Sequence, residues 1–489
     1  MNMATKVERL EEPEVDDDAP LYEARRKIYP IAVHGTFRKI KWTLLIVTLG
    51  IYYLLPFLRW DRGPNAPSQA VLVDLANGRF YFFFIEIWPQ EIYYVTGLLI
   101  LAALVLFLMN AVAGRLWCGY LCPQTVWTDL FQAIERMVEG DPRERREKLK
   151  TASRGRRAFE AASKHALWLM VAWWTGGAWV LYFADAPTLV WQLFTGTAPM
   201  VAYLWIAILT FTTYVLAGHM REQVCTYMCP WPRIQAALTD EYAFNVTYRY
   251  DRGEPRGSFK KTEALRAAGV PAGDCIDCKQ CVAACPTGVD IRLGSQLACI
   301  QCGLCIDACD TVMNKVGRPT GLIAYDTEMN VERRMKGLAP VTKLLRARTL
   351  LYAGLIVIVG GIMVATLAMR GSEGVSVIHD RNPLFVRLSD GSLRNAYTLR
   401  IVNKQSLPRR FAIAVEGVPE ARLEVVGGIS ETENGHPVVE VGPDQTYELR
   451  ALISTSAKLP ANASLPVTFS VTDVIGGETT TAPDHFKGP

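Results

Sequence analysis

Cys275-Ile-Asp-Cys278-Lys-Gln-Cys281-Val-Ala-Ala-Cys285-Pro286 is answered downstream by Cys299-Ile-Gln-Cys302-Gly-Leu-Cys305-Ile-Asp-Ala-Cys309-Asp310. Each run has the spacing C-x2-C-x2-C-x3-C. In bacterial two-cluster ferredoxins, three such thiolates hold three corners of a 4Fe–4S cube and the fourth cysteine ligates the other cube. That rule assigns Cys275, Cys278, Cys281 and Cys309 to one cluster, and Cys299, Cys302, Cys305 and Cys285 to the other. C-x2-C is also a zinc spacing, but structural zinc sites close on four ligands and seldom interleave two four-cysteine runs. Asp310 stands where the second run would ordinarily carry proline, a residue that shapes the turn and binds no iron.

Working outward, the remaining composition describes a membrane protein. The chain has 489 residues, too many for one domain; half are hydrophobic, and the mean hydropathy is +0.13. A net charge of +4 gives no nucleic-acid footprint. All twelve cysteines are used up by the two runs and by two further C-x3-C-P pairs, so no disulfide framework is expected and a reducing compartment is. The acidic start (Glu11-Glu-Pro-Glu-Val-Asp-Asp-Asp-Ala-Pro20) reads as a disordered tail, with no cleavable signal. Five stretches are long enough to span a bilayer, which takes about 20 apolar residues. They are 42–60, 91–114, 165–184, 198–218 and 348–369. A shorter run, Phe80–Trp88, carries Glu86 and is read as interfacial or re-entrant, with a buried strand as the alternative.

Lysine and arginine cluster before the first span (Arg25, Arg26, Lys27, Arg38, Lys39, Lys41) and between the second and third (Arg143 to Arg157); none lies between the third and fourth. The positive-inside rule then puts the amino terminus and the ferredoxin segment in the cytoplasm of a bacterial cell. Five crossings of the inner membrane carry the carboxyl terminus to the periplasm. After the fifth span, short alternating runs at Tyr397–Val402, Phe411–Val415, Val438–Val441 and Val467–Thr472 are separated by turn signals such as Gly427-Gly428 and Gly476-Gly477. They predict an antiparallel sandwich with nothing catalytic in it.

The expected fold is therefore multidomain: an α-helical membrane bundle of five spans with an inserted two-cluster ferredoxin-like domain and a C-terminal all-β, immunoglobulin-like sandwich. Its segments are a charged cytoplasmic start (1–41), a four-helix membrane region (42–240), the ferredoxin domain (241–345), a fifth helix (346–370) and the sandwich (371–489).

Cys118-Gly-Tyr-Leu-Cys122-Pro123 follows the second span and Cys225-Thr-Tyr-Met-Cys229-Pro230 the fourth, each after an Ala-Gly step at 113–114 and 217–218. The unit is repeated: two membrane helices, then C-x3-C-P at the cytoplasmic exit. A duplicated hairpin of this kind brings four thiols toward one site. Spacing of i and i+4 predicts both sulfurs of a pair on one helix face, with a bend at the proline. Soft thiolate and thioether donors select Cu(I), which brings in His219, Met220 and Met228 as secondary ligand candidates. A third metal or cluster site, a redox disulfide and plain packing thiols remain alternatives.

Taken together these features resemble the FixG/CcoG/RdxA family of membrane polyferredoxins. The resemblance also rests on Lys27-Ile-Tyr-Pro30, Gly35-Thr-Phe-Arg38, Gln69–Leu75, Arg79–Phe83, Trp88-Pro-Gln90 and Tyr397–Lys404. It implies a cupric reductase serving assembly of cbb-type cytochrome c oxidases. Two 4Fe–4S clusters would carry electrons from an unidentified cytoplasmic donor. Cys118, Cys122, Cys225 and Cys229 would bind and reduce copper, with oxidase subunits or copper chaperones as partners and membrane lipid around the helices. The alternatives are an electron-transfer subunit working between a cytoplasmic donor or quinone and a periplasmic partner, and a non-catalytic assembly scaffold.

Overall fold

The computed structural model describes residues 27–488, apart from 63–65, 370–372, 406, 427–428, 434, 444, 458 and 461–462. The acidic tail and the Gly427-Gly428 turn therefore lie outside the described residues. Two units are present. One comprises Met1–Leu45, Met109–Trp168 and Tyr214–Leu344; the other comprises Ile46–Leu108, Leu169–Thr213 and Leu345–Pro489.

Among the described residues, four helices are long and apolar enough to cross a membrane: Thr36–Phe57, Tyr93–Ala113, Met200–Met220 and Ala347–Ala368. The expected third span, 165–184, falls on a 27-residue helix, Arg154–Val180. Lys164, His165, the Thr175-Gly-Gly177 run and four tryptophans keep this helix out of that set, which corrects the count of apolar spans from five to four. It nevertheless packs within the second unit as closely as its neighbours do. A Cβ on Gly176 would lie 3.0 Å from the Ile206 carbonyl oxygen, the approach that small residues give membrane helices.

In the second unit, Val71–Asp74 (β1), Arg79–Phe82 (β2) and Ile85–Ile87 (β3) form an antiparallel sheet in that order. The Phe80–Trp88 run is thus strand rather than a re-entrant segment. Glu86 is accommodated because Arg79 lies 3.4 Å from it, while the Arg79 guanidinium also stacks 4.0 Å above the Trp88 ring. Buried Gln69 fastens this sheet, donating to the carbonyls of Val71 and Leu181 and accepting from the Ala186 amide.

The sandwich has sheets of order β10-β13-β8-β6 and β11-β12-β9-β14-β15. Its strands run β6 (Glu373–His379), β7 (Val386–Arg387, beside β8), β8 (Leu393–Asn403), β9 (Arg409–Glu416), β10 (Ala421–Val426), β11 (Ile429–Glu433), β12 (His436–Val441), β13 (Gln445–Thr455), β14 (Ser464–Asp473) and β15 (Thr479–Lys487). Alternate residues of β8 point inward onto a core that includes Tyr397, Leu399, Ile401, Phe411 and Phe469. Lys404 leaves this domain to pair with Glu91 at 2.7 Å, just ahead of the helix at Tyr93.

In the first unit the ferredoxin segment is closed by strands Asn245–Tyr248 and Ile323–Asp326, paired antiparallel. Between them lie helices Gln280–Ala283 and Leu304–Lys315, each beginning one residue before the third cysteine of its run. Pro286 leaves the first of these one turn long. Asp310 lets the second continue, and its carboxylate accepts from the Gly321 amide at 2.7 Å.

Candidate functional site

The eight ferredoxin cysteines lie in the first unit, five of them in or against one apolar core. Burial raises the Cys309 thiol to about 12, and its next strongest influences are Cys281, Cys278, Asp310 and Cys275. Burial also raises Cys299 to about 12, with Cys302 and Cys285 adding to it, and raises Cys305 beside Cys302, Cys299 and Cys285. Cys281 also acts on Cys305, so these influences reach across the two sets expected from spacing. The donor set suits iron–sulfur cubes: eight thiols, four of them buried (Cys275, Cys281, Cys302 and Cys309), beside a core that includes Val246, Ile306 and Met313. Among the described residues no three His, Cys, Asp or Glu side chains stand close enough to hold a single metal ion.

The C-x3-C-P cysteines also come together. Cys118 lies in the short helix Leu116–Tyr120, and Cys122 caps Pro123–Glu139 with extended backbone (φ −61°, ψ 125°). Cys225 lies in a π-helical turn, Val224–Met228, and Cys229 follows it, also extended (φ −79°, ψ 123°). The two sulfurs of a pair therefore do not share one helix face. The residue before a proline is forced out of the α region, so each second cysteine sits at a break between helices. The two copies differ in length, since three more residues separate Gly218 from Cys225 than Gly114 from Cys118. The wider π-helical turns at Tyr214–Met220 and Val224–Met228 lie in that longer copy.

Burial raises the Cys118 thiol to about 11, and Cys122 and Cys229 add to it while Gln235 and Arg115 oppose. Burial, then Cys122, Cys118 and Cys229, raise Cys225 to about 12. Cys118 and Cys225 thus each lie within electrostatic reach of Cys122 and Cys229. Cys118 and Cys225 both pack against Ile300, Cys302 and Leu304 of the second ferredoxin run.

Several residues build this junction that spacing alone did not single out. Arg115 donates to the Cys299 carbonyl at 3.3 Å and to the Pro232 carbonyl at 2.8 Å, joining both pairs to the second run. Buried Gln235 accepts a hydrogen bond from the Cys118 thiol at 3.4 Å. Tyr120 donates to the Cys302 carbonyl at 3.1 Å. Gly114 has φ +53°, and a Cβ there would strike Asn245 and Gln301, so the Ala-Gly step is a point of close approach. A lone arginine directly after an apolar span was the one available signal.

Of the secondary candidates, His219 is exposed and its ring meets His165 (centroids 5.7 Å apart), Tyr214 and Trp168. Met228 is exposed beside exposed Cys229, and Met220 is partly buried.

A family model described as a 4Fe-4S dicluster domain matches residues 220–328, which contain Cys225, Cys229 and all eight ferredoxin cysteines. One described as a 4Fe-4S binding domain matches 95–138, which contain Cys118 and Cys122. A third, an Ig-like fold at the C-terminus of FixG, matches 363–489. Protein RdxB of Cereibacter sphaeroides is 50% identical over 446 residues, covering 90% of this chain and 91% of its own. Nitrogen fixation protein FixG of Rhizobium meliloti is 48% identical over 463 residues, covering 89% and 87%. Protein RdxA of Cereibacter sphaeroides is 52% identical over 411 residues, covering 83% and 86%.

Proposed function

The chain belongs to the family of FixG, RdxA and RdxB, and on that premise we propose that this membrane iron–sulfur protein reduces Cu(II) to Cu(I) for assembly of a cbb-type cytochrome c oxidase. The observation that carries the proposal is the convergence of four thiols in one unit with the second ferredoxin run, Cys118 and Cys225 both lying on Ile300, Cys302 and Leu304. Cys275, Cys278, Cys281 and Cys309 would hold one 4Fe–4S cluster and Cys299, Cys302, Cys305 and Cys285 the other. When bound, the clusters supply one-electron carriers. The four junction thiols receive copper, since soft sulfur ligands favour Cu(I) over Cu(II). One electron enters per copper, drawn from a cytoplasmic donor. Arg115 holds the cysteine pairs and the second run in register, and Cys229 with Met228 offers the exposed side for metal entry and exit. The inner-membrane orientation belongs to the same proposal: ferredoxin domain cytoplasmic, sandwich periplasmic, available there to oxidase subunits or copper chaperones.

The test is anaerobic Cu(II) reduction by the purified, cluster-loaded protein, beside a variant with Cys118, Cys122, Cys225 and Cys229 all changed to serine. Turnover by the wild type and none by the variant, with its cluster spectrum intact, is the expected result. Equal reduction by both would overturn the assignment.

A second reading is favoured by the 4Fe-4S binding model over Cys118 and Cys122: the four thiols hold a third cluster. Iron analysis separates the two, at about eight irons per chain for two clusters and about twelve for three.

A further inference from the structure

The first unit contains a cavity of about 620 Å³ that the copper chemistry does not use. On one side it is lined by Pro286 and Leu304, the chain neighbours of Cys285 and Cys305. On the other it is lined by Arg38, Lys39, Trp42 and Arg136. Its size is that of a small-molecule site. Its ionised lining is unbalanced, because Asp129 is the one carboxylate against Arg38, Lys39 and Arg136. Asp129 is already satisfied: Arg38 donates to both its oxygens at 2.8 and 3.0 Å, and Lys41 lies 3.7 Å away. Burial, followed by the nearby Arg38 guanidinium, pulls Arg136 below the usual arginine range, and Asp129, Asp141 and Glu135 only partly offset this. Gln132 also lines the cavity, is only 4% exposed, and has no hydrogen-bond partner among the described residues.

We propose that this cavity binds an anionic, planar redox nucleotide of the flavin mononucleotide class, which delivers electrons to the chain next to the second cysteine run. Lys39 and Arg136 match a phosphate, Gln132 a hydrogen-bonding ring edge, and the Trp42 indole an aromatic face. A neutral quinone would leave the surplus cations uncompensated. In the step, the reduced flavin loses two electrons and two protons and leaves oxidised; the electrons pass singly to the iron–sulfur relay and the protons to water. The inference rests on the eight ferredoxin cysteines forming an electron relay and is independent of copper as the acceptor.

The experiment titrates the full-length, cluster-loaded protein in detergent with oxidised flavin mononucleotide and follows quenching of flavin fluorescence. Riboflavin and inorganic phosphate serve as separate probes. Saturable quenching is expected, weakened about tenfold or more by Lys39→Glu with Arg136→Glu. The same loss is expected for Gln132→Leu, which keeps the charges and guards against misfolding of the double variant. Cluster absorbance, read in the same samples, reports separately on the relay. Absence of quenching up to about 1 mM would overturn the proposal. So would unchanged quenching in both variants, or competition by phosphate equal to that by the nucleotide, which would mark a simple anion site.

Discussion

Gly119 lies between the cysteines of the first pair, and a Cβ there would meet the carbonyl oxygens of Ile300 and Gln301 at 2.8 and 3.0 Å. Those neighbours are backbone and cannot swing aside. Gly119→Ala should therefore push the first pair off the second run and lower copper reduction by about tenfold or more, as small misplacements at reactive sites do. Iron content is measured alongside, because the added Cβ would also meet the Cys302 Cα at 3.1 Å. Glu135 shows a second residue-scale dependence. Burial by itself would raise its carboxyl, but Arg221 and Arg145 outweigh that and hold it below the ordinary glutamate value. A depressed carboxyl stabilises the fold at neutral pH, and the contribution is lost as pH falls through its lowered value. Glu135→Gln should flatten that acid limb of a thermal-midpoint profile. It should also cost about 3–5 kcal/mol at neutral pH, because Arg221, 1% exposed, is left with a buried unpaired charge.

At the scale of elements, the first membrane helix is begun by a residue far away in the chain. The Asp307 carboxylate accepts from the amides of Phe37 (3.2 Å) and Arg38 (2.8 Å) at the amino end of Thr36–Leu54. Gly35 lacks a Cβ where one would sit 2.3 Å from Asp307. The Gly35-Thr-Phe-Arg38 motif was legible as a family mark, but its reason is this cap, which joins residues 269 positions apart. Asp307→Ala should destabilise the first turn by about 1–2 kcal/mol, read as faster hydrogen exchange at the amides of residues 37–40. Prolines were legible as breaks. Their effect on Cys122 and Cys229 was misjudged from i,i+4 spacing, which assumes that one helix runs through both cysteines.

For the whole molecule, a periplasmic sandwich requires Arg154–Val180 to cross the membrane as well as the four apolar helices. A phosphatase fused after residue 488 should then be active in cells and one fused after residue 345 inactive. Activity after residue 345 and none after residue 488 would mean that Arg154–Val180 does not cross, and would place the sandwich in the cytoplasm. The Lys404–Glu91 pair, 14% and 8% exposed, anchors the sandwich within its own unit and ties the end of the Tyr397–Lys404 stretch to the residue that follows Trp88-Pro-Gln90.

The sequence by itself determined the elements whose signal is local. Thiol spacing marked the two clusters, apolar runs marked five spans of which four are apolar enough to cross, and two-residue alternation marked the sandwich strands, because each pattern follows from covalent geometry and transfer to a non-aqueous surrounding. Only the tertiary structure decided the cap from Asp307, the meeting of both cysteine pairs over Ile300–Leu304, and the cationic cavity beside Cys285. Each of these depends on side chains distant in the chain arriving within a few ångströms, and no local periodicity encodes which partners will meet.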